Sequence, residues 1–178
     1  MKFRETKVAG AYVIDVNRIE DDRGFFGRVW CSQEFAGQKL APRIEQINVG
    51  FSPKQGTLRG MHYQVAPFLE VKVIRCTRGA VYDVVVDLRT DSPTFGKWDA
   101  AELTQENRSM MYVPEGCAHG YLTLTPDAEI YYLASETYSR DCSRGIRYND
   151  PAFGVEWPAA INVISDADKN WPDFDPKG

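Results

Sequence analysis

Histidine is scarce in this sequence, and cysteine occurs without a metal-binding pattern. Of the 178 residues only two are histidine, His62 and His119. A site with three histidine ligands is therefore excluded. The cysteines form no CxxC pair, so nothing in their spacing indicates a zinc site. We interpret the cysteines as reduced thiols of a cytoplasmic protein, since a chain of this length needs no disulfide framework. The four cysteines are Cys31, Cys76, Cys117 and Cys142.

The sequence also lacks long apolar runs and an excess of positive charge. Its net charge of −4 indicates no surface for nucleic acid or for an anionic membrane. No apolar run approaches the roughly 20 residues of a membrane-spanning helix. The first seven residues carry charge but no apolar h-region, so we expect no secretory signal. We therefore expect no membrane partner and no nucleic-acid partner.

Short strands separated by turn residues dominate what is present. They recur at intervals of roughly 8–12 residues, which is typical of a sandwich or jelly roll. Helical periodicity is weak, and one short helix is predicted over 32–36, capped by Ser32. Without repeats or linkers, the pattern predicts one all-β domain over 1–178 with short peripheral helices. The predicted strands are 11–16, 25–30, 44–49, 57–63, 71–76, 80–88, 109–113, 120–124 and 130–134.

Charged residues share strand faces with apolar ones. Strand alternation places Lys72 on the face of Ile74, and Asp83 and Asp87 on the face of Val85. Charged groups are rarely buried without a partner, so these three indicate a polar site in the interior. A lysine reaching out to solvent and an aspartate at a strand end are the alternatives.

An ordered set of motifs runs over nearly the whole chain. The set resembles the dTDP-4-dehydrorhamnose 3,5-epimerase family, the metal-free sugar-nucleotide epimerases of the cupin superfamily. Each motif alone is weak, but their order is specific. They are DRGFF (22–26), QIN (46–48), LRGMHYQ (58–64), GAVYDVVVDLR (79–89), SPTFGKW (92–98), VPEGCAHG (113–120), RGIRYNDP (144–151), WP (157–158) and ISDAD (164–168).

The resemblance implies a fold and a reaction. The fold is a cupin-type jelly roll, a double-stranded β-helix, and the assembly is a homodimer that exchanges strands between subunits. The substrate is a nucleoside-diphosphate 4-keto-6-deoxy sugar, inverted at C3, C5 or both. The C4 ketone acidifies the neighbouring C–H bonds, so the reaction needs a base, a stabiliser for the enolate oxygen and an acid on the opposite face. No metal and no cofactor is expected.

The resemblance also implies roles for individual residues. His62 matches the general base and Asp168 the carboxylate that orients it. Tyr132 matches the general acid, and Lys72 the cation that stabilises the enolate. Asp83 matches a further aspartate nearby. The residues that match substrate contacts are Arg23, Arg59 and His119 for the diphosphate, Gln46 and Asn48 for the nucleotide-sugar, and Phe26 as a wall against the base.

Six positions depart from the family pattern. The loss of an acidic residue at 28 and of an aromatic residue at 137 changes hydrogen bonding and stacking for a base. We therefore hypothesise the same enolate chemistry on a different activated sugar, either with a base other than thymine or with a sugar that does not lead to rhamnose. The departures are Arg28, Ile47, Leu133, Thr137, Ser143 and Ala167.

Three other functions stay open on the sequence. A ketoisomerase would move the carbonyl of a similar substrate rather than invert carbons. A non-catalytic cupin would bind a nucleotide-sugar only, which would not require the acid and base residues. A metal-dependent dioxygenase would need both histidines and one carboxylate as ligands, and the usual H-x-H pair is missing.

Overall fold

Strands make up most of the regular secondary structure, with two short helices. The computed structural model describes residues 1–41 and 43–175. The elements are β1 (Lys2–Glu5), β2 (Tyr12–Asp15), β3 (Arg18–Asp21), β4 (Gly24–Gly27), α1 (Ser32–Gly37), β5 (Gln46–Ser52), β6 (Thr57–Gln64), β7 (Lys72–Arg78), β8 (Ala80–Asp87), β9 (Trp98–Thr104), β10 (Met110–Val113), β11 (Cys117–Thr123), β12 (Ala128–Ala134), β13 (Ser143–Gly145), β14 (Val163–Ile164) and α2 (Asp166–Lys169).

Two sheets pack face to face around the core. The first sheet has the order β1-β2-β10-β7-β12-β5, and the second has the order β13-β6-β11-β8-β9, with β14 added beside β6. Apolar side chains from both inner faces meet between them, including Ile74 and Met111 from the first sheet and Val85 and Leu103 from the second. This is the all-β, double-sheet architecture that the strand spacing predicts.

The nine predicted strands are all present, with shifted bounds, as β2, β4, β5, β6, β7, β8, β10, β11 and β12. The predicted helix is also present, and its Phe35 packs on the outer face of the first sheet beside Ile14 and Val73. The predicted cap is wrong. Cys31, with extended backbone, precedes the helix and makes no side-chain cap, so Ser32 is already its first helical residue.

Strand alternation places the charged residues as expected. Lys72 and Ile74 face the space between the sheets, while Asp83 and Asp87 are fully buried on β8. Asp87 closes the end of its strand, where it accepts hydrogen bonds from Arg89, Ser92 and Thr94. Its role is therefore that of a structural strand-end aspartate.

A bulge in β6 decides which side chains reach the interior. His62 lies opposite His119 and Arg59 lies opposite Tyr121, so three steps on β6 match two steps on β11. The extra residue lets both Arg59 and His62 face inward, although their spacing would put them on opposite faces of a regular strand. Glycine is required at Gly60, because its φ is 124° and a Cβ would come within 2.6 Å of the Gly120 Cα.

A two-stranded hairpin lies outside the stacked sheets. β3 and β4 form a separate two-stranded hairpin, and its side chains Ile19 and Phe26 are exposed. In the ranges that the structure describes, neither helix is long and apolar enough to cross a membrane.

Candidate active site

One cavity of about 490 Å³ opens between the two sheets. Six of the site residues predicted from the sequence line it: His62, Tyr132, Asp168, Lys72, Arg59 and His119. The remaining lining residues are Val49, Gly50, Thr57, Leu58, Tyr121, Ile130, Val163, Ile164 and Ser165. The cavity therefore brings together side chains that lie far apart in the sequence.

His62 and Asp168 form a close pair on one wall. The His62 Nε2 lies 2.6 Å from the Asp168 Oδ1, across 106 residues of sequence. His62 is on β6 of the second sheet, and its side chain is 42% exposed, so the imidazole remains open to a ligand. Asp168 is buried on α2, which the β14 strand holds against β6. This is the geometry of a base and its orienting carboxylate.

Asp168 is held as a carboxylate. Burial alone would raise its pKa, but the carboxylate accepts hydrogen bonds from the His62 ring, the Gly60 backbone N–H and the Ser165 hydroxyl, and these bring the pKa below its ordinary value. An ionised carboxylate only accepts hydrogen bonds, so the His62 Nε2 carries the proton that it donates to Asp168. In the neutral imidazole, the form that a general base needs, the His62 Nδ1 then carries the free lone pair.

Tyr132 and Lys72 belong to the opposite wall, on the first sheet. On β12 and β7, Tyr132 lies opposite Ile74 and Ala134 lies opposite Lys72. Tyr132 and Lys72 are therefore diagonal neighbours on the inner face. Burial raises the pKa of Tyr132 above its usual value, with Glu70 adding to the rise and Arg59 opposing it. The phenol thus holds its proton at neutral pH, and it faces the cavity from the sheet opposite His62.

Lys72 has a partner that the sequence did not reveal. Its Nζ lies 2.9 Å from the Glu70 Oε1, and the two side chains are only 13% and 10% exposed. The sequence does show a carboxylate, Glu70, two residues before the inward-facing Lys72, which is the one local indication of this contact. It was missed because Glu70 precedes the strand, where alternation gives no orientation.

His119 and Asp83 form a second imidazole–carboxylate pair, deeper than the first. The His119 Nε2 lies 2.8 Å from the Asp83 Oδ2, and both side chains are buried. Burial raises the pKa of Asp83, while His119 and Lys72 act in the opposite direction. Its other oxygen, Oδ1, has no hydrogen-bond partner within residues 1–41 and 43–175. The contact with Asp83 fixes the orientation of the His119 ring, which lines the cavity.

Arg59 is held by the neighbouring strand β5. It donates from Nε to the Ser52 Oγ at 3.2 Å and from a terminal nitrogen to the Phe51 carbonyl at 3.1 Å. The guanidinium therefore lines the cavity in a fixed position and retains donors for an anion. Tyr121, which the sequence did not single out, is the cross-strand partner of Arg59 on β11. Burial raises the pKa of Tyr121 to about 12.

Gln46 and Asn48 lie on the cavity side of β5 but do not line the cavity itself. Asn48 is paired with Tyr132, and Gln46 with Ala134, so both share the inner face. The Gln46 Oε1 accepts a hydrogen bond from the Tyr138 backbone N–H. Their assignment to substrate contacts stays a prediction.

Arg23 and Phe26 are not brought to the cavity of their own chain. Both lie on the β3–β4 hairpin, where the Arg23 side chain is 89% exposed and pairs with Asp21. Phe26 is 67% exposed. Their assignment to substrate stays a prediction.

The six departures from the family pattern lie away from the lining of the cavity, for the part of the chain that the structure describes. Ile47 and Leu133 are direct cross-strand partners on the outer face of the first sheet, so these two departures form one apolar pair. Arg28 forms an ion pair with Glu34 of α1. The hypothesis of a different activated sugar stays a prediction.

No group of three or more histidine, cysteine or acidic side chains is arranged to hold a metal ion within the described ranges. Each histidine instead contacts one aspartate.

Comparisons with known proteins point to one family. A family model described as dTDP-4-dehydrorhamnose 3,5-epimerase matches residues 5–176. A protein of that name from Sinorhizobium fredii is 40% identical over 173 residues, which cover 97% of this chain and 89% of the relative.

Solved structures extend the comparison to the fold. The Bacillus anthracis dTDP-4-dehydrorhamnose 3,5-epimerase, with TDP and PPi bound, has a TM-score of 0.92 and 36% identity, covering 97% of this chain and 99% of its own. The 3'-monoepimerase ChmJ from Streptomyces bikiniensis, in complex with dTDP-quinovose, has a TM-score of 0.86 and 34% identity, covering 94% and 85%. The predicted cupin-type jelly roll is thereby confirmed. The chain belongs to the dTDP-4-dehydrorhamnose 3,5-epimerase family.

Proposed function

We propose that this protein is an isomerase that epimerises a nucleoside-diphosphate 4-keto-6-deoxyhexose at C3, C5 or both. The observation that carries the proposal is the arrangement of two groups around one cavity. A histidine oriented by a carboxylate, His62 with Asp168, lies on one sheet, and the protonated phenol of Tyr132 lies on the other. A base and an acid on opposite walls are what inversion of a carbon requires.

The first step removes a proton beside the ketone. The His62 Nδ1 takes the proton from C3 or C5, and the electrons of the broken C–H bond form a C=C bond to C4 while the ketone oxygen becomes an enolate. Asp168 stabilises the imidazolium that results. The Lys72 ammonium, which lines the same cavity, stabilises the negative charge on the enolate oxygen.

The second step returns a proton from the opposite face. The enolate collapses to the ketone, and the same carbon takes the proton of the Tyr132 hydroxyl, which leaves a tyrosinate. The carbon is inverted because the two groups lie on opposite sheets. Proton transfer through solvent, from the His62 imidazolium to the Tyr132 tyrosinate, restores the starting state.

The substrate class follows from the relatives and from the charges of the site. The relatives include a 3,5-epimerase structure with TDP and PPi and a 3'-monoepimerase structure with dTDP-quinovose. In this chain the Arg59 guanidinium lines the cavity and supplies hydrogen-bond donors for a diphosphate, and His119 lines the same cavity with its Nε2 held by Asp83. Both inversion outcomes occur among the relatives, so both remain within the proposal.

A homodimer of single-domain chains, spanning residues 1–178, is part of the proposal. The outer face of the edge strand β5 and its neighbour β12 carries exposed Ile47, Val49, Phe51 and Tyr131. A contiguous apolar face beside an unpaired strand edge is a surface that a second copy would cover. The exposed β3–β4 hairpin supports exchange of an element between copies, because its Phe26 is exposed in a single chain.

We also propose a cytoplasmic location. The four cysteines are free thiols, as expected in a reducing compartment.

Solvent deuterium exchange tests the reaction. A dTDP-linked 4-keto-6-deoxyhexose is incubated in D2O with the wild type, and NMR follows deuterium at C3 and C5 and the configuration of each carbon. We expect enzyme-dependent exchange with inversion at one or both carbons, and a loss of at least about 100-fold in His62→Ala. Equal exchange by wild type and His62→Ala would indicate a binding protein. Movement of the carbonyl to C3 would indicate a ketoisomerase.

A further inference from the structure

The Glu70 carboxylate lies next to the reacting groups, yet the reaction described above gives it no part. It precedes β7, and its Oε1 lies 2.9 Å from the Lys72 Nζ. Both side chains are nearly buried, at 10% and 13% exposure. Burying an ion pair carries a desolvation penalty that often cancels its attraction, so such a pair is a weak source of stability. Its position beside the cavity therefore calls for a chemical explanation.

The pair is adjacent to the phenol of Tyr132. Lys72 and Tyr132 are diagonal neighbours on the inner face of the first sheet. The charge on Glu70 contributes to the raised pKa of Tyr132, after burial and against the effect of Arg59. The carboxylate is thus close enough to influence both the ammonium and the phenol.

The charge on Glu70 balances the cation beside the phenol. An unpaired Lys72 ammonium would favour the tyrosinate form of Tyr132, since an opposite charge nearby favours ionisation. It would also be free to turn away from the substrate on its flexible stem. The Glu70 carboxylate opposes both effects, because it adds a negative charge near the phenol and fixes the ammonium at the cavity wall.

The other titratable groups around the phenol lie on the second sheet and on α2. The neighbouring strand β5 contributes the neutral amides Gln46 and Asn48 to the inner face. Glu70, which precedes a strand of the first sheet, is the carboxylate whose charge acts on the Tyr132 phenol from its own sheet. The titratable groups that line or lie beneath the cavity are Arg59 and His62 on β6, Asp83 on β8, His119 and Tyr121 on β11, and Asp168 on α2.

We propose that Glu70 is a positioning residue that holds the Lys72 ammonium at the cavity wall and keeps the Tyr132 phenol in its proton-bearing form. This inference rests on the proposed function, because it assigns Tyr132 the role of acid. It extends the machinery by one residue that acts through two others.

The variant Glu70→Gln tests the role of the charge. Glutamine has the same shape and still accepts a hydrogen bond from Lys72, but it is neutral. Two matched variants accompany it. Glu70→Asp restores the charge, and Glu129→Gln removes one negative charge from the outer face of the Tyr132 strand, where Glu129 contacts Thr77.

Two measurements are made on each protein. NMR of tyrosine labelled with ¹³C at the ring Cζ follows ionisation of the phenols in the free enzyme, and Tyr132→Phe assigns the resonance. The pH dependence of kcat, from the exchange assay, gives the alkaline limb of activity. The first measurement needs no substrate, so it stands apart from the proposed function.

We expect Tyr132 to ionise at lower pH in Glu70→Gln than in the wild type. The ratio of kcat at about pH 10 to kcat at about pH 7 should fall at least about threefold, while kcat near pH 7 changes less. Glu70→Asp should recover much of the wild-type ratio, and Glu129→Gln should match the wild type.

Unchanged Tyr132 ionisation in a folded Glu70→Gln protein would overturn the inference. A uniform loss of kcat at all pH values, without a shift of the limb, would also overturn it, because that is the signature of a purely structural residue. A wild type with no exchange activity would instead refute the proposed function, and the NMR titration would then decide on Glu70 alone. Failure of Glu70→Gln to fold, with Glu70→Asp folded and wild-type-like, would assign the carboxylate to stability and refute the inference.

Discussion

Replacing Asp168 with asparagine isolates the contribution of one carboxylate to the His62 base. The two side chains have the same shape, and the asparagine could still accept the hydrogen bond from the Gly60 N–H. Its amide, however, can also donate to the His62 Nε2 across the 2.6 Å contact. That reversal moves the imidazole proton to Nδ1, the atom that takes the substrate proton in the proposed reaction.

Two losses follow from this change. A proton on the His62 Nδ1 blocks proton abstraction, and the imidazolium formed by the remaining molecules no longer lies beside a negative charge. A general base in the wrong tautomer loses on the order of 10² to 10⁴ in rate. The corresponding increase in the activation free energy is about 3 to 5 kcal/mol.

The assay compares the rates of solvent deuterium exchange at C3 and C5 in Asp168→Asn and wild type. Asp166→Asn is the matched control, because Asp166 is an exposed residue in the same short helix and carries the same charge. We expect it to retain activity within about twofold, since a surface charge near a helix end contributes little. An Asp168→Asn enzyme within about threefold of wild type would refute the orienting role of the carboxylate.

Three further predictions concern stability, assembly and ligand choice. Burial would raise the pKa of Asp87, but hydrogen bonds from its neighbours hold the pKa at about 2. The ionised carboxylate therefore stabilises the fold above the unfolded-state pKa of about 4, and this contribution is lost as pH falls toward 2. In urea unfolding we expect Asp87→Asn to be less stable than the wild type by about 2 kcal/mol at pH 7. The difference should be clearly smaller near pH 2.5. If the hairpin completes the partner's site, mixing inactive Arg23→Ala and His62→Ala chains should restore about one quarter of wild-type activity on random exchange, whereas no recovery would place Arg23 in its own chain's site. The hypothesis of a different base predicts by calorimetry that UDP, CDP or GDP binds more tightly than dTDP, and a clear preference for dTDP would contradict it.

Strand alternation was sufficient to predict the interior polar residues. Lys72 and Asp83 were placed correctly because each alternates in register with buried apolar residues of its own strand, Ile74 on β7 and Val85 on β8. Apart from the two-residue β14, the strands that were not predicted are polar or mixed. β3 is exposed along its whole length, and β9 has one fully buried residue, so neither shows an apolar face in the sequence.

The local geometry of the site could not be predicted from the sequence, for a different reason. The bulge that turns Arg59 inward depends on how β6 pairs with β11, and the contact of Glu70 with Lys72 depends on the path of a loop. The motifs named His62 and Asp168 through a family resemblance. Their contact arises only when α2 packs on β6, which no local pattern encodes.

Because Asp168 lies near the end of the chain, catalytic activity can arise only late in synthesis. A nascent chain that has emerged up to residue 160 contains β1 to β13 but lacks β14 and α2, which carry the partner of His62. Both sheets could then assemble around an imidazole with nothing to orient it. Turnover would begin only when β14 and α2 pack against β6. A chain that stops before them, or in which they detach, would bind its substrate without converting it.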